Sequence, residues 1–297
     1  MIRTILCTAL LVTLPAAAWA EPDQQDDITV KRDQIYGRVL GAALLADYAY
    51  PQSNAKKPAI LSLHGGRWYR GDKTNNGAID VEQWAKLGFF AMTIDYRLRD
   101  CSMPPACYQD VQCAIRYLHA HADQFQIDED RIFIIGQSAG GHMASLSATL
   151  GNGDFPKTGG WEDARNDVCA AICVSGALDL VTCPWGNLWS PRGVDPLEAR
   201  RYASPRTHAG PQMRPLIIFH SDNDKSVPID NALSTVETLK AKKAPFAFHH
   251  YADQGHMNVT PEVIRRSLDF IQLVSENDGE LPKSYQTFSP SLAKKSK

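Results

Sequence analysis

Three short stretches carry side chains that can break an acyl bond. The first is Gly136-Gln137-Ser138-Ala139-Gly140, which follows the apolar run Arg131-Ile132-Phe133-Ile134-Ile135 and precedes the small, helix-compatible Gly141-His142-Met143-Ala144-Ser145. Strand, Gly-x-Ser-x-Gly and helix in that order are the context of a nucleophile elbow. Ser138 must then sit in a strained turn whose glycine neighbours have no side chain to collide with strand or helix, so that its hydroxyl projects above the sheet. The helix N-terminus beneath it brings backbone N–H groups and positive dipole towards a developing oxyanion. The bare pentapeptide occurs in many loops; the flanking strand and helix make it specific.

A serine hydroxyl is too weakly acidic to attack alone, so it needs a base within reach and a third group to fix that base's tautomer. The acid candidates lie in Ser221-Asp222-Asn223-Asp224-Lys225-Ser226-Val227-Pro228, after the apolar Leu216-Ile217-Ile218-Phe219-His220. Asp224 is preferred, three residues before a Val-Pro pair that opens the next helix. Asp222 reads as a turn or cap residue bonded to local backbone. The base candidate is His256 in Ala252-Asp253-Gln254-Gly255-His256-Met257, carried after a flexible glycine and before a proline-started helix. His249 and His250 fall inside a strand, one to pack and one to face solvent, while His220 could line the pocket.

The third stretch stabilises charge. Leu61-Ser62-Leu63 runs into His64-Gly65-Gly66, a strand followed by glycines whose bare backbone can approach a substrate closely. Oxyanion donors are expected from Gly66 and Ala139, with Gly65 helping, each contributing about 2.7 to 4 kcal/mol to the transition state.

The elements that must position these loops alternate between short β-branched runs and longer amphipathic stretches, the pattern of a parallel sheet with helices on both faces. Strands are expected at 59–63, 89–95, 131–135, 168–174, 215–220 and 246–251, and helices at 79–87, 108–124, 139–150, 229–240 and 261–274. Residues 28–36 and 37–50 read as antiparallel strands extending one edge. No repeat with a period of 20 to 50 residues is present. Thr182 to Gly210 holds Pro184, Trp185, Trp189, Pro191, Pro196 and Pro205. It is either a lid or substrate wall above the sheet edge, or a helical face in which Trp185 and Trp189 simply pack. Residues 276–297 read as a loosely held polar tail.

The chain has 297 residues, 44% hydrophobic and 22% charged, the profile of one large globular domain. Residues 1–20 read as an export signal: Arg3, the apolar Ile5 to Leu14, a break at Pro15 and Ala18-Trp19-Ala20 as cleavage site. About ten apolar residues cannot span a bilayer core that needs about 20. The catalytic domain is then 21–275, and the expected location is periplasmic or extracellular. With Arg3 gone the formal charge is −3, with no basic block before the last few residues, so neither nucleic acid nor stable membrane insertion is expected. Six cysteines remain, Cys101, Cys107, Cys113, Cys169, Cys173 and Cys183. In an oxidising compartment an even number favours disulfides, with 15 complete pairings open and Cys101–Cys107 as the local choice. Zinc-ligand spacings such as Cys-x-x-Cys are absent, and no metal or organic cofactor is implied.

Taken together, His64-Gly65-Gly66-Arg67-Trp68 with Gly71-Asp72-Lys73, Asp95-Tyr96-Arg97-Leu98, Gly136 to His142, Asp224 and His256 resemble the α/β-hydrolase superfamily. The similarity spans roughly Arg38 to Val274 and falls in the branch with a His-Gly-Gly oxyanion loop, which contains carboxylesterases and feruloyl or acetyl-xylan esterases. The resemblance implies an α/β fold with a mostly parallel eight-stranded sheet, a lid-like insertion and a serine esterase acting on small or carbohydrate-linked acyl esters. It implies a structural role for Asp95. Two departures stand out: Arg67 after His-Gly-Gly, where many members carry Gly or Ala, and the cysteine-rich, Pro/Trp-rich character of the chain. Arg67, Trp68, Trp185 and Trp189 are the expected substrate contacts. A peptidase or amidase of the same fold and a non-catalytic binding module on the same scaffold are the competing readings. Nothing in the sequence sets the oligomeric state.

Overall fold

Strands buried on both faces need continuous apolar runs, and 132–135 and 170–174 supply them with every residue buried. The computed structural model describes residues 27–75 and 77–288. Its sheet comprises β1 (Ile28–Val39), β2 (Ala42–Pro51), β3 (Lys57–Leu63), β4 (Phe90–Ile94), β5 (Ile127–Gln137), β6 (Ala170–Val174), β7 (Leu216–Ser221), β8 (Phe246–Tyr251) and the two-residue β9 (Thr287–Phe288). The order is β1-β2-β4-β3-β5-β6-β7-β8-β9. β2 runs antiparallel to β1 and β4, and every pairing from β4 onwards is parallel. This is the mixed eight-stranded sheet of an α/β-hydrolase, with one short strand added at its far edge.

Helices α1 (Val81–Lys86), α2 (Ala106–Ala120), α3 (Ala122–Phe125), α4 (Ala139–Thr149), α5 (Pro196–Tyr202), α6 (Ile229–Ala241) and α7 (Pro261–Ser275) connect the strands. Two cores result. α1 and α7 place Val81, Trp84, Val263 and Phe270 on one face with Ile60, Phe133 and Ile217, while α2, α4 and α6 bury Val111, Met143 and Val236 on the other with Leu61, Ile134 and Ile218. Alternate residues of each strand point to opposite faces, so neighbours such as Ile60 and Leu61 serve different cores.

Several boundaries move from the expected ones for local reasons. The first hairpin turns at Leu40 and Gly41, both at positive φ, rather than at residue 37. α1 begins at Val81 because the Asp80 carboxylate accepts from the N–H groups of Glu82 and Gln83. The predicted helix 108–124 is divided at His121 into α2 and α3. Residues 276–288 are also less loose than their polarity suggests, since Leu281 is buried and β9 pairs with β8. The expected export signal, 1–20, lies outside the described residues.

All six cysteines 101–183 are free thiols, which corrects the expected Cys101–Cys107 bridge. Cys107 is sealed in the first turn of α2, where burial and the nearby Asp110 carboxylate push its thiol far up, whereas Cys101 lies exposed in the preceding turn. Burial also pushes Cys113 up to about 12 and Cys169, Cys173 and Cys183 up to about 11. Because the thiolate is the reactive form, a thiol reagent should titrate one of these six cysteines, Cys101, in the native protein and all six in denaturant. A total of four in denaturant would instead indicate one disulfide.

Candidate active site

The loops that leave the C-terminal ends of β3, β5, β6, β7 and β8 meet above the sheet. Ser138 stands between β5 and α4 at φ 55° and ψ −117°, buried to 3% exposure, and its N–H is held by the Val174 carbonyl at 2.8 Å. A residue with a β-carbon enters this region at a cost of about 1 to 3 kcal/mol. The glycines around it have a contact reason to be glycine. A β-carbon on Gly136 would overlap the Gly140 carbonyl group, and one on Gly140 would overlap the carbonyl oxygen of Leu63. The elbow and the end of β3 therefore touch backbone to backbone.

That contact sets the His64-Gly65-Gly66 loop beside the first turn of α4, whose N–H groups have no intrahelical acceptor. Ala139 is the first residue of α4, and Ser138 offers it no side-chain cap. Gly66 holds φ +108°, with its carbonyl accepting from the N–H groups of Tyr69 and Arg70 at 3.0 and 3.1 Å. Arg67 and Trp68 follow at φ 58° and 59°, an unusual pair of left-handed non-glycine residues. The His64 ring stacks on Tyr96 with centroids 4.1 Å apart, and the Tyr96 hydroxyl donates to the His64 carbonyl at 2.9 Å. Burial lowers the His64 pKa, which suits a packed and neutral ring.

At the other side Asp224 and His256 are joined. His256 Nδ1 lies 2.8 and 3.0 Å from the two Asp224 oxygens, and the same carboxylate accepts from the N–H groups of Ser226 at 2.8 Å and Val227 at 2.9 Å. Burial pushes the Asp224 carboxyl up, but the hydrogen bonds from His256 and the Val227 amide outweigh it, so the group stays below the usual carboxylate range and ionised. Asp222 is engaged elsewhere, 2.5 Å from His250 Nε2 on β8. His249 is buried and stacks on Phe219, and His220 is buried with Nε2 2.9 Å from the Val227 carbonyl. Among the described residues the Ser138 hydroxyl and the His256 ring are not hydrogen-bonded to each other.

The chain's relatives can now be set beside this geometry. The profile of the BD-FAE family matches residues 46–239. The chain belongs to the BD-FAE family. Among curated relatives it is 29% identical over 204 residues to a probable carboxylic ester hydrolase, LipM, of Mycobacterium tuberculosis, covering 64% of this chain and 47% of that one. It is 26% identical over 254 residues to a probable isoprenylcysteine alpha-carbonyl methylesterase, ICMEL1, of Arabidopsis thaliana, covering 77% and 51%. The chain thus spans about half the length of these relatives. Among solved structures, a truncated carbohydrate esterase from gut microbiota superposes with a TM-score of 0.73 at 21% identity, covering 86% of this chain and 98% of that one. A butyrate-bound esterase of Thermogutta terrifontis gives 0.69 at 22% identity, covering 86% and 95%.

In this BD-FAE chain the expected substrate tryptophans are packing residues. Trp68 is 0%, Trp189 1% and Trp185 5% exposed. Their rings meet edge to face, Trp68–Trp185 at 4.9 Å and Trp68–Trp189 at 5.2 Å, with His142 of the elbow helix 5.1 Å from Trp68 and 5.2 Å from Trp189. The insertion 182–210 is thereby bolted to both the loop after β3 and α4. His142 Nε2 completes the attachment, donating to the Ala203 carbonyl at 2.7 Å. Of the four expected contacts only Arg67 is exposed.

Four positioning residues escaped the sequence reading. Gln137 Nε2 donates to the Met257 carbonyl at 3.0 Å and the Met257 N–H to Ser175 Oγ at 3.0 Å, tying the His256 loop to the elbow and to the end of β6. The N–H groups of Gln254 and Gly255 donate to Ser221 Oγ at 2.8 Å and Asn223 Oδ1 at 2.6 Å, tying it to the Asp224 loop. Their signal is modest: polar side chains at or just beyond the C-terminal ends of otherwise apolar strands.

Burial lowers the His142 pKa to about 4, so the folded ring stays neutral where an unfolded histidine would protonate. With the folded value depressed, the stabilising contribution is complete above about pH 6.5 and is lost as the pH falls to about 4, at about 1.4 kcal/mol per unit. Urea unfolding of the wild type should weaken across this window, and His142→Gln should show a slope shallower by about that amount. Equal slopes would refute the buried neutral ring.

Proposed function

We propose that this protein is an exported serine carboxylic-ester hydrolase, working in the periplasm or outside the cell on small or carbohydrate-linked acyl esters. The supporting observation is the hydrogen-bonded Asp224–His256 pair, laced by Gln137, Ser175, Ser221 and Asn223 to the same sheet edge that carries the strained Ser138. Two of the similar proteins, a probable carboxylic ester hydrolase and a carbohydrate esterase, agree with it. Export rests on the sequence of residues 1–20. Among the described residues no helix is long and apolar enough to cross a membrane.

In the proposed reaction Ser138 Oγ attacks the ester carbonyl carbon and gives its proton to His256 Nε2. Asp224 holds the opposite ring nitrogen, fixing the tautomer and stabilising the imidazolium. The tetrahedral oxyanion accepts hydrogen bonds from the N–H groups of Gly66 and Ala139, with Gly65 beside them. Collapse expels the alcohol, which takes the proton from His256. Water then attacks the acyl-enzyme, again giving a proton to His256, and the acid departs as Ser138 recovers its hydrogen. The chemistry needs no cofactor.

Hydrolysis of 4-nitrophenyl acetate and butyrate should be lost in Ser138→Ala, and Asp224→Asn should lower kcat by about 10⁴-fold while leaving the fold intact. A fluorophosphonate probe should add one adduct at Ser138. A folded wild type that is inert towards a broad ester panel and unlabelled by the probe would sink the proposal, and faster cleavage of short peptides than of esters would turn it towards an amidase.

A further inference from the structure

Three arginines lie on or against the proposed oxyanion loop. Arg67 follows Gly66 directly and is exposed, and its charge reaches the Cys183 thiol at the start of the insertion. Arg70 is exposed and its stem passes over the oxyanion glycine, with Cγ 3.2 Å from where a β-carbon of Gly66 would stand. Arg99 donates its backbone N–H to the Trp68 carbonyl at 2.7 Å, and its side-chain Nε is buried with no hydrogen-bond partner.

Most acids of the same loops have partners of their own, the exception being the exposed Asp100 beside Arg99. Asp72 accepts from Thr74 and Asn75, Asp95 pairs with Lys73, and Asp110 takes Arg97 through both oxygens. Among the described residues none of Arg67, Arg70 and Arg99 forms an ion pair, although other arginines such as Arg32, Arg97, Arg165 and Arg206 do. The formal charge of the whole chain is −2, so net charge does not draw anions to the protein as a whole. A buried guanidinium N–H without an acceptor is unfavourable until an acceptor arrives.

We propose, resting on the esterase reading, that the substrate is an ester bearing a carboxylate on its acyl or its alcohol half, held by the rim arginines while the neutral ester lies over Ser138. The planar fork of arginine matches a carboxylate in two parallel hydrogen bonds, an arrangement that lysine would not reproduce. The rim charge also steers anions towards the cleft, an effect that salt screens.

The test compares kcat/KM within two matched pairs: mono-4-nitrophenyl adipate against 4-nitrophenyl hexanoate for the acyl side, and acetylated methyl glucuronide against acetylated methyl glucoside for the alcohol side. At low salt the anionic member of at least one pair should lead by about tenfold or more. That ratio should fall towards one in about 0.5 M sodium chloride, and also in Arg67→Gln. The salt comparison uses the wild type and so decides the matter even if the variant does not fold. Neutral esters that match or beat the anionic ones in both pairs, or an anionic advantage that salt leaves intact, would overturn the proposal. Folded protein that turns over none of the four would instead overthrow the esterase reading, and this inference with it.

Discussion

The site depends on one close approach of main chain to main chain. Gly140 lies so near the Leu63 carbonyl that no side chain fits between them, and Gly136 lies equally near Gly140. Because β3 and β5 are parallel neighbours paired from Ala59↔Ile132 to Leu63↔Gly136, their ends arrive at the same height. The turn after β5 therefore meets the turn after β3, and the first N–H groups of α4 face the glycines after His64. The strain at Ser138 is held by these contacts and by the Val174 carbonyl on β6, so three strands share a constraint that no single segment could impose.

The His256 loop has no comparable steric lock and is fixed by polar ties instead. The four ties come from the ends of three strands, Gln137 from β5, Ser175 just beyond β6, and Ser221 and Asn223 at and beyond the end of β7. Hydrogen bonds of this kind each contribute about 1 kcal/mol, but their directions restrict the loop more tightly than apolar packing would. Flexibility at Gly255, with φ 62°, is thus confined to a short arc next to the His256 ring.

How much of this was legible in the sequence follows from the range over which each feature is determined. Gly136 to Gly140 was readable because strand, turn and helix adjoin in the chain, and Asp224 and His256 because each follows an apolar run. The tryptophans were misplaced because spacing cannot distinguish a ring that lines a cleft from one that fills a core. Trp68 and Trp189 are more than a hundred residues apart and meet only after the insertion folds back onto α4. The Cys101–Cys107 bridge failed similarly: proximity in sequence says nothing of burial, and α2 withdraws Cys107 from the surface that Cys101 occupies. The short α5 was hidden by its prolines, although Pro196 sits at the first helical position, with Asp195 capping the N–H groups of Leu197 and Glu198.

The buried tryptophans also bear on how the cleft is shaped. Each buries about 150 to 250 Å², which at about 25 cal/mol per Å² amounts to several kcal/mol per ring. Swinging the insertion away from α4 would expose three such rings and break the His142–Ala203 bond together with the Leu180 N–H to Ser204 Oγ bond at 2.8 Å. A hinged lid needs a weak underside, and this segment has a strong one. The insertion is accordingly held against α4 and the loop after β3, while Arg67, Tyr69 and Arg70 of that loop remain exposed.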